Sequence, residues 1–222
     1  KRSDCNYPYK ELSGCGIGFK LIQAYALKYD IPFDQVSAYL DLVAVSIASD
    51  IVPINGENRI LAWYGLIKLN TDPCKGLLAL MNISGRKENL SITDVVFTIG
   101  PRINAAGRID DAKHSVNLLI ADDEAIALEK SQIINTKNTE RKEHDSNITE
   151  QALAMIDGDP VLISRKTTVV YNADWHKGVI GIVASRLTEK YYRPTIVMTN
   201  SNGYAAGSAR SVAGFDLYEA LC

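Results

Sequence analysis

The sequence of 222 residues is poor in cysteine and histidine, and it has no excess of either charge. Its four cysteines, at positions 5, 15, 74 and 222, lack the CxxC or CxxH spacing of zinc sites. We therefore expect reduced thiols rather than a disulfide framework or a zinc site. The 24 Lys and Arg residues face 26 Asp and Glu residues, so any contact with a polyanion has to come from local clusters of basic residues.

Long apolar runs and a signal peptide are also absent. No stretch approaches the roughly 18 uninterrupted apolar residues that a membrane span needs, and the polar start at Lys1 is not a secretory leader. We therefore expect no membrane contact and a cytoplasmic location. The chain lacks an initial methionine and stops inside a helix predicted after Phe215, which indicates a piece of a longer protein. Its 46% hydrophobic residues are enough for one large or two modest domains.

Helices dominate the prediction for the first half of the chain. Apolar periodicity and stop signals predict helices at residues 19–27, 34–50, 58–69, 74–83 and 111–119. Asp50 then lies at the end of the second helix. The β-branched run 93–99 leads into a loop of small and polar residues, 100–108, that carries Arg102, Asn104 and Arg108. Two arginines and an asparagine in such a loop suggest an anion site.

A very polar helix is predicted at residues 122–156. Its middle, residues 135–145, has almost no apolar side chain, so it should pack little into a core. A solvated helix that connects two lobes and a recognition helix both fit this composition, and we favour the connecting helix.

The last third predicts an α/β layer. Strands are predicted at residues 161–163, 169–171 and 195–198, and a helix opens at residues 175–178 between the last two strands. A basic loop, residues 203–211, follows. In it Gly207 would let a backbone N–H approach an anion, while Ser208, Arg210 and Ser211 supply donors suited to phosphate oxygens.

Each candidate site residue also has a plainer interpretation. Asp50 could be a helix cap or a surface charge instead of a metal ligand. His176 could cap or pack against the helix it precedes, or it could donate to a phosphate near the helix N-terminus. Residues 207–211 could form an ordinary surface turn. His114 and His144 have no metal-ligand spacing around them, and no complete metal site is visible.

Several segments together resemble the RecJ family of single-strand-specific exonucleases, which are DHH phosphoesterases. The segment DWHKGVIGIVASRL at residues 174–187, with YRP at 192–194 and GSARS at 207–211, closely resembles the DHH-associated domain of that family. The segments YPYKELSGCG at 7–16, residues 41–59 and GPRINAAGR at 100–108 resemble earlier parts of the family in the same order. The resemblance covers nearly the whole chain.

The resemblance implies an α/β fold: the C-terminal part of a DHH phosphoesterase lobe, mostly helical here, joined by a long helix to a small α/β DHH-associated domain. The implied limits are residues 1–121 for the lobe, 122–157 for the connecting helix and 158–222 for a substrate-binding domain truncated at its end. The family's earlier aspartate and Asp-His-His motifs are absent from the sequence.

The resemblance also implies the function and the site. The family cleaves single-stranded DNA from the 5′ end with two divalent ions, manganese or magnesium, and releases 5′-mononucleotides in DNA repair and recombination. By position, Asp50 matches a metal ligand and His176 a catalytic residue at the scissile phosphate. The resemblance assigns binding of substrate phosphate to the residues Gly207, Ser208, Arg210, Ser211, Arg102, Asn104 and Arg108. The metal site would be incomplete in these 222 residues, so we expect them to be inactive alone.

Partners and rival functions follow from the same resemblance. Single-stranded DNA is the expected ligand, a helicase and a single-strand-binding protein are expected partners, and the chain is expected to be a monomer. One rival is a phosphoesterase of the same superfamily that acts on short oligonucleotides or cyclic dinucleotides. The other is a non-catalytic module that binds phosphate or single-stranded DNA.

Overall fold

The computed structural model describes residues 4–50, 52–85 and 89–222. The chain divides into two compact units. The first consists of Lys1–Ala106 and Ala112–Asn135, and the second of Gly107–Asp111 and Thr136–Cys222. As the sequence predicts, the fold is mostly helical, with one small mixed sheet. None of the helices among the described residues is long and apolar enough to cross a membrane.

The first unit is helical. Its helices are α1 (Gly14–Lys28), α2 (Phe33–Ser37), α3 (Leu40–Ser49), α4 (Gly56–Thr71), α5 (Lys75–Ile83), α6 (Ile92–Asp94), α7 (Gly100–Ile109), whose last residues fall in the second unit, α8 (Lys113–Leu119) and the first third of α9 (Glu124–Asp157). A π-helical turn, Val95–Ile99, joins α6 to α7. Two clusters of buried apolar side chains form its core, one around Leu80 and Ile99 and the other around Phe19 and Ile47.

Helices α3 and α4 pack at close range because a glycine lies between them. A Cβ atom added at Gly65 would lie 2.2 Å from the carbonyl oxygen of Leu40 and 2.6 Å from the Cβ of Ala44. The largest fully buried side chain of α3 is Ile47, three residues before Asp50. The packing therefore fixes the end of α3, where Asp50 lies.

The second unit is an α/β layer. Its elements are the rest of α9, α10 (Pro160–Ser164), β1 (Thr168–Tyr171), α11 (Ile180–Tyr191), β2 (Thr195–Ser201), β3 (Tyr204–Arg210) and α12 (Leu217–Leu221). The sheet order is β1-β2-β3, with β1 parallel to β2 and β3 antiparallel to β2. Apolar residues of α9, α11 and the sheet form its core, including Ile156, Leu187 and Val197.

Two predictions for the second unit are wrong in element type. Residues 161–163 lie in helix α10 and not in a strand, because the carboxylate of Asp159 accepts the N–H groups of Val161 and Leu162 and Pro160 occupies the first helical turn. Residues 204–210 form strand β3 and not a loop. This strand hairpins back on β2, with Ser208 opposite Val197.

Predictions for α7, α9 and the second helix also need correction. Residues 100–108 form a helix and not a loop, continuous with the π-helical turn before it. The segment 34–50 is two helices, α2 and α3. The polar middle of α9 is not simply solvated, since Asn138 and Asp145 are only 2% and 3% exposed. A polar stretch can be buried when its side chains find charged or polar partners, and α9 does this in the second unit.

Candidate functional site

The first unit places two predicted site residues around one cavity. Asp50 follows the last turn of α3 and is exposed. Together with Asn104 of α7 it lines an open cavity of about 470 Å³, whose other walls include Cys15, Ser46 and Ser49. The hydroxyl oxygen of Ser49 is buried and has no hydrogen-bond partner. The lining residues thus include a carboxylate, an amide and two hydroxyl groups beside the apolar residues Leu42, Val45, Ile103 and Leu119.

The donor set of this cavity suits a hard cation but does not complete a site. Carboxylate and amide oxygens are the ligands that Mg²⁺ and similar ions prefer, and six of them are usual. Within residues 4–50, 52–85 and 89–222, no group of three or more His, Cys, Asp or Glu side chains could hold a metal ion. The described residues around Asp50 therefore do not form a complete metal site.

Arg102 is used within the first unit. Its Nε donates to Asn135 Oδ1 at 3.0 Å and its Nη1 donates to the carbonyl oxygen of Thr98 at 2.6 Å. Burial lowers the pKa of its guanidinium. These contacts tie α7 to α9 and to the turn before α7, which favours structural support over phosphate binding for this residue.

In the second unit, His176 lies in a turn ahead of α11. The helix begins at Ile180, so the predicted start at residues 175–178 is too early. The carbonyl oxygen of His176 accepts the N–H groups of Val179 and Ile180. The turn is anchored by Trp175, which is buried and donates its indole N–H to Gln151 Oε1 at 2.8 Å. The position of His176 is therefore fixed through α9 and α11.

The imidazole of His176 is held in one orientation. Its Nδ1 accepts the N–H of Gly178 at 3.1 Å, so the neutral ring carries its proton on Nε2. Its ring stacks on that of His144, with the centroids 5.1 Å apart. Burial, and secondarily the charge of His144, lowers the pKa of His176 below its usual 6.5. The ring is therefore a neutral Nε2–H donor near pH 7.

Gly178 allows the close approach that keeps this turn in place. A Cβ atom added at Gly178 would lie 1.9 Å from the carbonyl oxygen of Arg108. Arg108 in turn donates through Nη1 to the carbonyl oxygen of Gly178 at 3.4 Å. The end of α7 thus packs directly against the turn that carries His176, and it brings the predicted site residue Arg108 next to it.

Ser208 and Arg210 lie on the same side of β3 because they are two residues apart in a strand. Arg210 donates through Nε to Ser185 Oγ at 3.0 Å and through Nη1 to Ser208 Oγ at 3.3 Å. A Cβ atom added at Gly181, in the first turn of α11, would touch both Ser208 and Arg210. The start of α11 therefore lies beside the Ser208–Arg210 pair, and His176 is hydrogen-bonded to that same start.

Two predicted residues lie apart from this pair. A Cβ atom added at Gly207 would meet Met198 and Ile196 of β2, so Gly207 allows the two strands to pack closely. Ser211 follows the end of β3 and donates its hydroxyl to the carbonyl oxygen of Phe215 at 2.6 Å. Ser208 and Arg210 are thus joined in one site, and Ser211 closes the turn after it.

Sequence reasoning missed two residues of this site. Ser185 binds Arg210, and a helical spacing of four from Gly181 could have placed it there. His144 stacks on His176, and nothing in its local sequence indicates this, because the contact joins residues of α9 and of the turn before α11.

Comparison with known proteins connects this site to a family. Residues 159–222 match the DHHA1 domain. The chain is 40% identical over 224 residues to the single-stranded-DNA-specific exonuclease RecJ of Bacillus subtilis, in an alignment that covers 100% of this chain and 28% of that protein. It is 34% identical over 234 residues to RecJ of Escherichia coli, in an alignment that covers 98% of this chain and 40% of that protein. The chain thus spans less than half the length of these curated relatives.

Solved structures agree with the sequence comparison. The crystal structure of RecJ from Thermus thermophilus in complex with Mg²⁺ has a TM-score of 0.85 and 31% identity, over 97% of this chain and 33% of that one. The crystal structure of exonuclease RecJ bound to manganese has a TM-score of 0.84 and 31% identity, over 97% of this chain and 53% of that one.

Proposed function

Because this chain belongs to the RecJ family along its whole length, we propose that the protein carrying it is a metal-dependent exonuclease specific for single-stranded DNA. It degrades the strand from the 5′ end and releases 5′-mononucleotides in DNA repair and recombination. The observation that supports this most is the hydrogen-bonded set of Arg210, Ser185 and Ser208 beside the start of α11, since a guanidinium and hydroxyl groups are the donors that a terminal phosphate needs.

Arg210 is the principal ligand of the 5′-phosphate in this proposal. The hydroxyl oxygens of Ser185 and Ser208 accept hydrogen bonds from Nε and Nη1 of Arg210. The planar guanidinium group therefore has a fixed orientation before a ligand binds. Such preorganisation favours binding because less side-chain entropy is lost. Gly207 permits the close strand pairing that positions Ser208. Ser211 joins the phosphate only after its hydroxyl leaves the carbonyl oxygen of Phe215.

His176 acts on the phosphate that is cleaved. Its Nδ1 is occupied by the N–H of Gly178, so its Nε2–H is the atom available to donate. The lowered pKa keeps the ring neutral near pH 7. The Nε2–H donates to a non-bridging oxygen of the scissile phosphate and stabilises the negative charge that develops there during displacement.

Asp50 is the ligand that this chain supplies to the metal site. Manganese or magnesium ions, two in the intact enzyme, would supply an activated water and neutralise the phosphate when bound. Asp50 and Asn104 line the same cavity, and carboxylate and amide oxygens are ligands that such ions prefer. Asn104 and Arg108 also contact substrate phosphate in this proposal, and Arg102 supports α7.

We further propose that three segments of the chain have separate roles. Residues 1–121 act as part of the phosphoesterase lobe, 122–157 as the connecting helix, and 158–222 as the substrate-binding domain. The 222 residues alone bind DNA without cleaving it, because one carboxylate does not replace a full set of ligands. The protein works in the cytoplasm as a monomer, with a helicase and a single-strand-binding protein as partners.

A nuclease assay on the longer protein that carries this chain tests the activity. We expect manganese-dependent release of mononucleotides from a long single strand, faster than cleavage of a dinucleotide. Preferential cleavage of the dinucleotide would instead favour the short-oligonucleotide phosphoesterase. The same assay on the 222 residues should give no product at any manganese concentration, and robust digestion would refute their proposed inactivity.

Arg210→Gln tests the phosphate site within that assay. It should raise KM for a strand with a 5′-phosphate by at least about tenfold, equivalent to about 1.4 kcal/mol, and change KM little for a strand with a 5′-hydroxyl. Arg165→Gln is the matched control, since Arg165 is an exposed arginine of the same unit. Equal losses on both substrates would argue against a 5′-phosphate site at Arg210.

A further inference from the structure

We propose that three arginines, Arg108, Arg141 and Arg186, form a second phosphate site in this chain, which we call the arginine cluster. The cluster binds a backbone phosphodiester of the DNA strand, next to the phosphate that is held at His176. The inference rests on the proposed function, because its ligand is the same strand. Its three arginines come from three helices of the second unit: Arg108 from α7, Arg141 from α9 and Arg186 from α11.

One buried carboxylate organises the cluster. Asp145 is 3% exposed, and its Oδ2 accepts from Arg186 Nη2 at 2.7 Å. Its Oδ1 is buried without a hydrogen-bond partner. Arg141 lies one helical turn before Asp145 on α9, so the two side chains share a face. Asp145 therefore holds Arg186 against α9 and partly offsets the charge of Arg141, which leaves an excess of positive charge.

The remaining guanidinium groups are only weakly engaged. Arg141 donates through Nη2 to Asn138 Oδ1 at 3.3 Å, and its Nε is buried without a partner. Arg108 donates to the carbonyl oxygen of Gly178 at 3.4 Å. Both distances lie at the long end of the range for hydrogen bonds, and each guanidinium has five N–H groups. Most of their donor capacity is therefore open to an anion.

Arg141 is near enough to the other two arginines to feel their charges. Burial, and then the positive charges of Arg108 and Arg186, lowers the pKa of Arg141, against the opposite effect of Asp145. Three guanidinium groups with one carboxylate leave two positive charges unbalanced. A phosphodiester carries one negative charge, and its two non-bridging oxygens can accept a pair of N–H groups from one planar guanidinium, so it would relieve this repulsion.

Two arginines of the cluster lie near residues that contact or adjoin His176. Arg108 contacts Gly178, two residues after His176. Arg141 and His144 are three residues apart on α9, and His144 stacks on His176. An anion on Arg108 and Arg141 would thus lie beside the phosphate at His176, where the next phosphodiester of a bound strand is expected.

The test is equilibrium binding of 5′-phosphorylated single-stranded DNA to the 222-residue chain, in EDTA, by fluorescence anisotropy at several salt concentrations. Arg141→Gln should weaken binding about tenfold and reduce the slope of log K against log salt by about 0.7, the value for one phosphate contact on a single strand. Arg108→Gln, at an exposed position, should do the same. Arg165→Gln should leave both quantities unchanged.

Arg141→Lys separates charge from structure. If Arg141 binds a phosphate, the lysine variant keeps most of the salt slope that the glutamine variant loses. Equal loss of affinity in both variants with an unchanged slope would assign Arg141 a purely structural role and refute the inference. Unchanged affinity in Arg141→Gln would refute it while leaving the proposed function intact. Unchanged affinity in Arg108→Gln would also contradict the phosphate contact proposed above for Arg108. Failure of the unaltered chain to bind would count against both.

Discussion

The imidazole rings of His144 and His176 stack with centroids 5.1 Å apart and planes 26° from parallel. One ring is carried by α9 and the other by the turn before α11, so the contact ties the long helix to the candidate site. Because burial and the charge of His144 both disfavour protonation of His176, the stack also has an electrostatic consequence.

We predict that His176 titrates below pH 6.5 and that His144→Phe raises its pKa. The phenyl ring keeps the burial of His176 but removes the charge of His144, so the pKa should move toward 6.5 without reaching it, because burial is the larger cause. NMR titration can resolve this, since the chain has only three histidines. His114→Gln serves as the control and should leave the pKa of His176 unchanged.

The same lowered pKa predicts how stability depends on pH. A histidine whose pKa is lower in the folded chain binds protons more tightly when unfolded, so its contribution is fully present above about pH 6.5 and is lost as the pH falls through the folded value. Urea unfolding between about pH 8 and pH 5 should show a decline that is smaller in His176→Gln. An identical decline in both proteins would contradict the assignment.

Gly178→Ala should destabilise the second unit and displace His176. Its Cβ atom would lie 1.9 Å from the carbonyl oxygen of Arg108, which is backbone and has no alternative rotamer. We expect a loss of about 2 to 3 kcal/mol in the free energy of unfolding, measured with urea. Gly18→Ala is the matched control: it lies within α1, a Cβ there meets nothing within 4 Å, and a gain of up to about 1 kcal/mol is expected.

Much of the fold could be predicted from sequence because its helices carry local signals. Helices α1, α4, α5 and α8 follow apolar periodicity and end at polar or proline-containing turns. Strands β1 and β2 are β-branched and apolar. Strand β3 could not be predicted in this way, because Gly, Ala and Ser have low strand propensity and its structure depends on pairing with β2.

The candidate site was predictable only where its residues share a short segment. Ser208 and Arg210 are two residues apart, so the sequence alone already suggests that they act together. His144, Arg141 and Asp145 lie in a stretch whose polarity predicts solvation. His144 and Asp145 reach the site through contacts with His176 and Arg186, which are more than 30 residues away in sequence, and no local pattern predicts such contacts.

Arg193→Ala should destabilise the second unit strongly. Arg193 is 9% exposed, and its guanidinium donates to the hydroxyl of Thr168 at 2.7 Å and to carbonyl oxygens of Leu162 and Ile163 at 3.0 and 2.8 Å. Removing it leaves these acceptors unsatisfied between α10 and the sheet. We expect a loss of about 3 kcal/mol in the free energy of unfolding.

Arg193→Lys shows whether the planar geometry of the guanidinium group or only its positive charge stabilises the second unit. An ammonium group cannot reach the same set of acceptors with fixed geometry, so the lysine variant should recover less than half of the lost stability. Thermal or urea unfolding followed by circular dichroism measures this. Full recovery by lysine would show that charge alone suffices, contrary to the geometry of the contacts.

Asp41→Asn tests the buried carboxylate of the first unit. Asp41 is fully buried, and its two oxygens accept the N–H groups of Leu42 and Cys74, each at 2.7 Å. Cys74 precedes α5, so Asp41 links the start of α3 to the start of α5. The amide of asparagine would turn an NH₂ group toward one of these N–H donors, and we expect a loss of about 2 kcal/mol in the free energy of unfolding.

Asp34→Asn, at an exposed position in the first turn of α2, is the control and should change stability by at most about 0.5 kcal/mol. Equal effects of the two substitutions in urea unfolding would show that Asp41 does not hold the two helices together.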